Sequence, residues 1–292
     1  MKRVRPSPVA HYYDRNTRRF LRFAARGAGA TIHRAVWAPG VGSRNEAVNY
    51  VHELLLQLLQ APAATSGSRP VVWDLGCGIG ASMRYLAERQ RGCYAGVTIS
   101  ASQILLAQRL QPSTAGELHF LQGDFCDATT FDRLHAVSIA APSLVYLIES
   151  FGHATDPRPL LTHSAASLAP EGLMAICDDF PASEAARERP EVRQFAAGWR
   201  ISSFWTPAEI AAALAPYGLR LVENRDLTSF VELNRVRDRL IARIVGLPDL
   251  LGSVGTRIAA TPFWGNMRGG TALQRGLKEG SIHYRMLVFG RR

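Results

Sequence analysis

Three glycines follow a short apolar segment and could hold a ligand close to the backbone. Asp74 is followed by Gly76, Gly78 and Gly80, immediately before a predicted helix. Glycine lets the chain turn tightly and approach a ligand, and the first N–H groups of a helix have no partner within it. The spacing differs from the Gly-x-Gly-x-x-Gly pattern of dinucleotide sites. Because an acid before the glycines would repel a pyrophosphate, these residues favour a ligand that carries positive charge.

Polar residues also stand at the ends of the next two predicted strands. The second strand ends at Thr98 and Ile99, with Gln103 soon after it, and the third is followed by Asp124 and Phe125. The carboxyl ends of parallel strands meet at one edge of a sheet, so we expect these residues to lie near the glycines. Each residue by itself is also compatible with an ordinary helix cap or turn.

The pattern Asp-x-Gly-x-Gly-x-Gly after a strand resembles motif I of the class I S-adenosylmethionine (SAM)-dependent methyltransferases. In that family the glycine loop holds the methionine part of SAM, and an acid before it suits the ammonium group. The resemblance implies that Tyr13, discussed below, and the two later strand ends also contact SAM. Thr98, Ile99 and Gln103 would meet the ribose, and Asp124 and Phe125 the adenine. SAM is therefore the expected cofactor.

Three further segments resemble one branch of that family. Gly96–Gln103 reads Gly-Val-Thr-Ile-Ser-Ala-Ser-Gln, with Thr98 where most class I members have an acid. This resembles the cyclopropane fatty acid synthases, geranyl diphosphate C-methyltransferases and their sterol relatives. His11–Asp14 resembles the N-terminal segment of the cyclopropane synthases, in which a tyrosine faces the cofactor. The resemblance implies that Tyr13 has this position here. Glu149–His153 resembles their Glu-His-Val-Gly-His segment.

Enzymes of this branch methylate an alkene carbon and then remove a proton from the resulting cation. That chemistry needs a pocket that excludes water, aromatic faces to stabilise the cation, and one base. Glu149 is the candidate base because it follows the apolar segment Leu144–Ile148 at the expected ligand edge of the sheet. His153 and Tyr146 are the other catalytic candidates. The candidates for substrate contacts are Trp37, Phe180, Trp199, Phe204, Trp205 and Arg34.

The predicted substrate is an isoprenoid, specifically a prenyl diphosphate. The segment Ile32–Trp37 resembles the prenyl diphosphate enzymes more than the lipid enzymes, and Arg34 belongs to a basic N-terminal arm that could meet a diphosphate. Asp178-Asp179 could hold Mg²⁺ with such a substrate or form a simple turn, so no metal ligand is assigned. The alternatives are a cyclopropane-type lipid enzyme and an O- or N-methyltransferase of a small natural product.

The elements that must position these residues alternate between strands and helices, which predicts a parallel, doubly wound, Rossmann-like α/β sheet of seven strands. Residues 1–66 are predicted to form an N-terminal helical cap, with helix over 11–61 and a capping box at Ser43 and Glu46. Residues 67–292 form the SAM-binding core, with a helical lid at about 228–282. The predicted strands span 71–74, 94–99, 118–122, 135–139, 173–177, 219–227 and 284–289.

Composition narrows the class of protein further. The 292-residue chain has a formal net charge of +10, and the positive charge is concentrated at both ends. No RNA-binding motif accompanies this charge, so a nucleic-acid-binding module is disfavoured. Four scattered cysteines, the lack of a signal peptide and the lack of a long apolar run predict a cytoplasmic protein without membrane insertion. A small-molecule substrate is expected, and a homo-oligomer is left open.

Overall fold

The computed structural model describes residues 33–60, 69–110, 116–233, 235–245 and 261–291. These residues form a seven-stranded sheet flanked by helices. The strands are β1 (Val71–Leu75), β2 (Cys93–Thr98), β3 (Glu117–Gln122), β4 (Leu144–Ile148), β5 (Leu173–Pro181), β6 (Arg220–Asp226) and β7 (Ile282–Gly290). The helices are α1 (Arg44–Gln60), α2 (Ala81–Arg89), α3 (Ala101–Arg109), α4 (Ala128–Val137), α5 (Pro157–Ser167), α6 (Pro190–Trp199), α7 (Pro207–Leu214), α8 (Val236–Ile244) and α9 (Pro262–Glu279).

The strand order is β3-β2-β1-β4-β5-β7-β6, and the strands from β3 to β5 are parallel. The direction of winding reverses between β1 and β4, which are neighbours in the sheet. Ligands bind outside the carboxyl ends of the strands at such a reversal, because the flanking loops diverge there. The order confirms the predicted doubly wound, Rossmann-like sheet of seven strands.

Apolar side chains form one cluster on each face of the sheet. Residues of α1, α2 and α9 contribute to the first cluster, and residues of α4, α5 and α7 to the second. The central strands β1 and β4 are buried along their whole length. This explains why β4 is continuously apolar, and β1 apolar except for Asp74, rather than alternating. None of the helices in the described ranges combines the length and the apolar character needed to cross a bilayer.

The expectation of an entirely parallel sheet is wrong for the last strand. β7 lies between β5 and β6 and is antiparallel to both, with Ile282 paired to Pro181. Pro181 is the carboxyl end of β5, so β7 begins at the same edge of the sheet at which β5 ends. The chain therefore returns from α9 at that edge and must run in the opposite direction.

The fourth strand is also misplaced in the prediction. Residues 135–139 include the end of α4 and the loop after it, and the strand is β4 at Leu144–Ile148. Phe131 and Leu134 are buried on one face of α4, three residues apart, as a helix requires. The apolar run that follows is too short for its periodicity to distinguish a strand from the end of a helix.

A short extended segment, the N-terminal strap (residues 33–38), replaces part of the helix predicted over 11–61. Val36 forms an antiparallel bridge with Val231, and its N–H donates to the Ala47 carbonyl at 2.8 Å. The helical part begins at α1, where Ser43 and Glu46 form the predicted capping box. Residues 11–32 and the boundary at residue 66 lie outside the described residues, so those assignments stay predictions.

Helices α8 and α9 occupy the segment predicted as a lid, and α9 packs closely on α6. A Cβ built on Gly198 of α6 would lie 2.5 Å from the Gly265 carbonyl oxygen, and one on Gly269 would lie 2.6 Å from the Trp199 ring. Helices can approach this closely only where their surfaces lack side chains. The glycines therefore fix the distance between α9 and α6.

We expect Gly269→Ala to destabilise the protein and Gly265→Ala to leave its stability unchanged or raised. A Cβ at Gly269 would also meet Gly198 Cα at 3.0 Å, whereas one at Gly265 would lie 3.9 Å from its nearest neighbour. Overpacking costs about 1–3 kcal/mol, and an unhindered Gly→Ala change in a helix gains up to about 1 kcal/mol. Urea denaturation of the two variants measures the difference. Equal stability would contradict the close packing of α6 on α9.

Candidate active site

The glycine loop (residues 76–80) turns between β1 and α2, and its three glycines serve different purposes. Gly76, Gly78 and Gly80 have positive φ angles of 109°, 54° and 76°. A side chain at Gly76 would collide with Ser150, and one at Gly80 would collide with Phe120. A Cβ on Gly78 would meet nothing within 4 Å, so the space in front of this residue is open to a ligand.

Asp74 is buried in β1, directly before the glycine loop. Its Oδ2 accepts a hydrogen bond of 2.9 Å from the Tyr146 hydroxyl on β4. Burial raises the pKa of Asp74 to about 7, although the bond from Tyr146 opposes this shift. A cationic ligand at the loop would stabilise the ionised carboxylate. Tyr146, a catalytic candidate, is fully buried beside Asp74 and is not among the side chains that line the cavity described below.

The ends of β2 and β3 carry the other predicted cofactor residues. The Thr98 hydroxyl donates to Oε1 of Gln103 at 2.6 Å, which fixes the orientation of the carboxamide and of its two N–H donors. The Asp124 carboxylate accepts from the Cys126 N–H at 2.9 Å, which closes the turn that carries Phe125. These contacts hold polar groups at the edge of the sheet where the glycine loop also lies.

The three strand ends open onto one cavity of about 1970 Å³. A site for one small molecule typically has about 300–1000 Å³, so this cavity has room for two ligands. One group of lining residues comprises the predicted cofactor residues Gly76, Gly78, Thr98, Ile99, Gln103, Asp124 and Phe125. A second group comes from α6, α8 and α9 and mixes charged and polar residues with the apolar residues Ala196, Ala197, Trp199, Ile241, Met267, Leu273 and Leu277.

Glu149 lines the cavity directly after β4, with its backbone in the left-handed region at φ 51°. This conformation costs a residue other than glycine about 1–2 kcal/mol. Two donors bind the same oxygen, Oε1: the main-chain N–H of Arg34 and the hydroxyl of Tyr284, each at 3.0 Å. No residue in the described ranges donates to Oε2. The strained backbone thus presents a carboxylate with one oxygen held and one available.

The side chain of Arg34, a predicted substrate contact, forms an ion pair with Asp179. Its guanidinium donates two parallel hydrogen bonds to the Asp179 carboxylate and lies over the Tyr284 ring, 4.8 Å from the ring centre. The Arg34 and Asp179 side chains are 14% and 2% exposed. Burial would lower the pKa of Arg34, but Asp179 and Glu149 together raise it, so the guanidinium is charged. Arg34 lines the cavity with its charge already paired.

The pair Asp178-Asp179 does not fit a magnesium site. Both residues lie within β5, which extends to Pro181 instead of ending at Cys177. Asp179 is bound by Arg34, and Asp178 accepts from the main-chain N–H groups of Gly152 and Asp179. Their oxygens are therefore already used inside the protein. The one group of possible metal ligands found in the described residues, Cys93 with Glu117 and His119, includes the first residues of β2 and β3, at the opposite edge of the sheet.

Comparison with known families decides what this arrangement is. The family model described as a methyltransferase domain matches residues 47–224, which is more than half of the chain and spans the glycine loop and Glu149. The chain belongs to the methyltransferase domain family. This methyltransferase is 31% identical over 159 residues to an O-methyltransferase from Aspergillus nomiae. The alignment covers 53% of this chain and 67% of the relative.

Two solved structures share the fold over nearly the whole chain. A cyclopropane synthase from Mycobacterium tuberculosis superimposes with a TM-score of 0.66 and 16% identity, covering 93% of both chains. A geranyl diphosphate C-methyltransferase from Streptomyces coelicolor, in complex with Mg²⁺, a substrate analogue and S-adenosylhomocysteine, gives a TM-score of 0.64 and 16% identity over 99% and 100% of the chains. The resemblance drawn from the sequence motifs is confirmed at the level of the fold.

The residues at the glycine loop fit the SAM that this family uses. Gly78 leaves open space for the ligand, and Asp74 is a buried acid whose charge a cationic ligand would stabilise. Thr98, Gln103 and Asp124 line the same cavity. Asp74 and Gly80, also predicted to contact the cofactor, are not among the residues that line the cavity. Tyr13 lies outside the described residues, so its contact with SAM stays a prediction.

The aromatic side chains predicted to surround the substrate are mostly elsewhere. Trp199 lines the cavity. Phe180 is buried in the second core cluster, and Trp205 packs against that cluster. Phe204 packs on the Phe195 ring, and Trp37 is 36% exposed on the N-terminal strap, outside the cavity lining. The sequence could not separate these positions, because most aromatic residues serve the core.

Two histidines, His153 and His33, line the cavity. His153 contacts the Arg200 carbonyl at 3.4 Å through Nδ1, and burial lowers its pKa, so it is neutral near pH 7. His33 on the strap contacts the Ser82 hydroxyl at 3.0 Å, and burial lowers its pKa as well. The sequence analysis identified His153 and missed His33. It also missed Tyr284 and the role of Asp179, which only the arrangement of β5 and β7 brings to Glu149.

Proposed function

We propose that this SAM-dependent methyltransferase methylates an alkene carbon of an isoprenoid diphosphate, with Glu149 removing the proton from the resulting cation. The placement of the Glu149 carboxylate carries this proposal. It lies in the wall of a large, partly apolar cavity, with Oε1 held by two neutral donors and no donor on Oε2 among the described residues. A carboxylate without a cationic partner on its second oxygen is suited to receive a proton.

SAM, when bound at the glycine loop, supplies the electrophilic methyl group. Apolar side chains of α6 and α9 line part of the cavity, and an apolar surrounding is what a carbocation acceptor requires, because water would trap the cation. Trp199 offers an aromatic face to the positive charge. Fewer aromatic residues than predicted line the cavity, so the negative charge of Glu149 takes a larger share in stabilising the cation and then accepts its proton at Oε2.

Basic residues of the lid could hold the diphosphate in place of Arg34. Arg239 of α8 and Arg275 and Lys278 of α9 line the cavity, and none has an ion-pair partner among the described residues. Arginine binds phosphate oxygens through paired N–H groups, and lysine adds a point charge. The proposed acceptor therefore has its anionic end toward the lid and its apolar chain toward α6.

Transfer to a hydroxyl oxygen is the second candidate. The sequence relative from Aspergillus nomiae is named an O-methyltransferase. The neutral imidazole of His153 and the Glu149 carboxylate are both bases that could deprotonate a hydroxyl. Alkene methylation is the first candidate because apolar side chains line the cavity beside Glu149, and a carbocation, unlike a hydroxyl acceptor, requires such surroundings.

Incubation with SAM and a panel of prenyl diphosphates, each beside its free alcohol, tests the proposal. We expect mass spectrometry to show a gain of one methyl group on a diphosphate, and NMR to place that methyl on carbon. The free alcohol should react at least about tenfold more slowly, since hydrogen bonds to charged groups contribute about 1.5–3 kcal/mol. A methyl on oxygen would establish the second candidate. Equal turnover of the alcohol would remove the diphosphate from the proposal.

A further inference from the structure

More charged and titratable side chains surround Glu149 than a general base requires. The carboxylate is surrounded by titratable groups from the N-terminal strap, β5 and β7. These groups are His33, Arg34, Cys177, Asp178, Asp179 and Tyr284. The fully cationic member of this set is Arg34, and its guanidinium interacts electrostatically with both Asp179 and Glu149.

From this geometry we infer that Asp179 is a positioning residue that holds the Arg34 guanidinium away from the catalytic carboxylate of Glu149. The inference rests on the proposed role of Glu149 as the base. Arg34 meets Glu149 with its main-chain N–H and meets Asp179 with its side chain. The same residue thus donates a neutral hydrogen bond to the base while its charge is bound elsewhere.

The consequence for the base follows from elementary electrostatics. A guanidinium that bound Oε2 of Glu149 would stabilise the ionised carboxylate, occupy the oxygen that receives the proton, and make the group a weaker base. Asp179 prevents this because it offers a complete carboxylate to both guanidinium N–H groups. The two aromatic rings beside the guanidinium, Tyr284 at 4.8 Å and Trp199 at 5.9 Å, hold it further in place.

Asp179 and Glu149 contact different parts of Tyr284. Asp179 is paired with Tyr284 in the antiparallel register of β5 and β7, and the Tyr284 hydroxyl donates to Glu149. Burial raises the pKa of Tyr284 well above its ordinary value, so the hydroxyl remains a neutral donor. Asp178, the residue before Asp179, accepts hydrogen bonds from main-chain N–H groups and does not bind the guanidinium. Asp178 and Asp179 therefore have different partners.

The variant Asp179→Asn tests this inference. The guanidinium loses its anionic partner, and we expect it to move to Glu149. Turnover with SAM and geranyl diphosphate should fall by about 10- to 100-fold, less than the full contribution of a general base. The acid limb of the pH–rate profile should move to lower pH by about one pH unit, because a nearby cation makes Glu149 harder to protonate. SAM affinity should be unchanged.

The double variant Arg34→Met/Asp179→Asn separates this role from simple structural support. It removes both charges and keeps the main-chain N–H of residue 34 that donates to Glu149. We therefore expect turnover to recover to within about threefold of wild type and the acid limb to return, since paired charges replaced together can be neutral. Asp156→Asn, which breaks an exposed ion pair with Arg158, is the matched control and should change neither quantity.

Each outcome decides the inference. An unmoved acid limb in Asp179→Asn, or a double variant as slow as the single one, would overturn it. So would an Asp179→Asn variant that unfolds while the double variant folds, because the guanidinium would then have found no partner in Glu149. If Glu149→Gln keeps wild-type turnover, the proposed function itself fails, and that result is distinct from all of these.

Discussion

Glu149→Gln is expected to lower kcat by about 10²–10⁴-fold, the usual contribution of a general base, while SAM affinity and the thermal midpoint remain close to wild type. Gln keeps an oxygen that can accept from Tyr284 and from the Arg34 N–H, and it places an amide nitrogen where Oε2 receives the proton. The shape and the two hydrogen bonds are therefore retained, and only the basicity is lost. Single-turnover kinetics with SAM and geranyl diphosphate measure the effect.

The product of the Glu149→Gln variant carries additional information. If the cation still forms, it must lose its proton elsewhere or react with water, so a different alkene isomer or an alcohol would appear. Glu223→Gln, a change of the same type at an ion pair with Arg225 on β6, is the control and should behave as wild type. Turnover of Glu149→Gln within about threefold of wild type would refute the base, since that is far below the 10²-fold expected.

Gly78→Val is expected to weaken SAM binding by at least about 100-fold, or about 2.7 kcal/mol, in a protein that still folds. A Cβ at this position meets no protein atom within 4 Å, so the side chain would extend into the space in front of the loop. It would therefore compete with the ligand rather than with the core. Calorimetric titration with SAM measures the loss.

Backbone strain must be separated from this steric effect. Gly78 has a φ of 54°, where a side chain costs about 1–2 kcal/mol. Gly218 is a matched control, because its φ is 74° and its Cβ would also meet nothing within 4 Å. Gly218→Val should lose similar stability and keep its SAM affinity. Unchanged SAM affinity in Gly78→Val would place the cofactor elsewhere.

The cofactor site could be predicted from the sequence because its motifs are formed by residues close together in the chain. The glycine loop, the Ser100 cap of α3 and the Thr206–Glu209 capping box of α7 all form between residues a few positions apart. Positive φ angles at three alternate glycines are a property of the loop itself. For this reason the family followed from short motifs, and the glycine loop could be predicted as its cofactor site.

The errors came from features without a local signal. The end of α4 contains a short apolar run that could belong to a strand or a helix, and only its packing decides between them. The direction of β7 depends on the edge of the sheet at which the chain leaves α9. Some of the aromatic residues predicted around the substrate line the cavity and others pack in the core. The residues next to them in the sequence do not show which of the two each one does. Trp199 lines the cavity, whereas Phe180 lies in the core.

By itself, the sequence determined the glycine loop, the doubly wound order of most elements and the apolar segment that precedes Glu149. Only the tertiary structure decided how Glu149 is held. Its contacts with Arg34 and Tyr284 join residues 115 and 135 positions apart, and the bond from Arg34 to Asp179 spans 145. Such contacts arise because the antiparallel β7 enters beside β5 and the N-terminal strap crosses the same edge. A pattern that extends over a few residues cannot encode distances of that length.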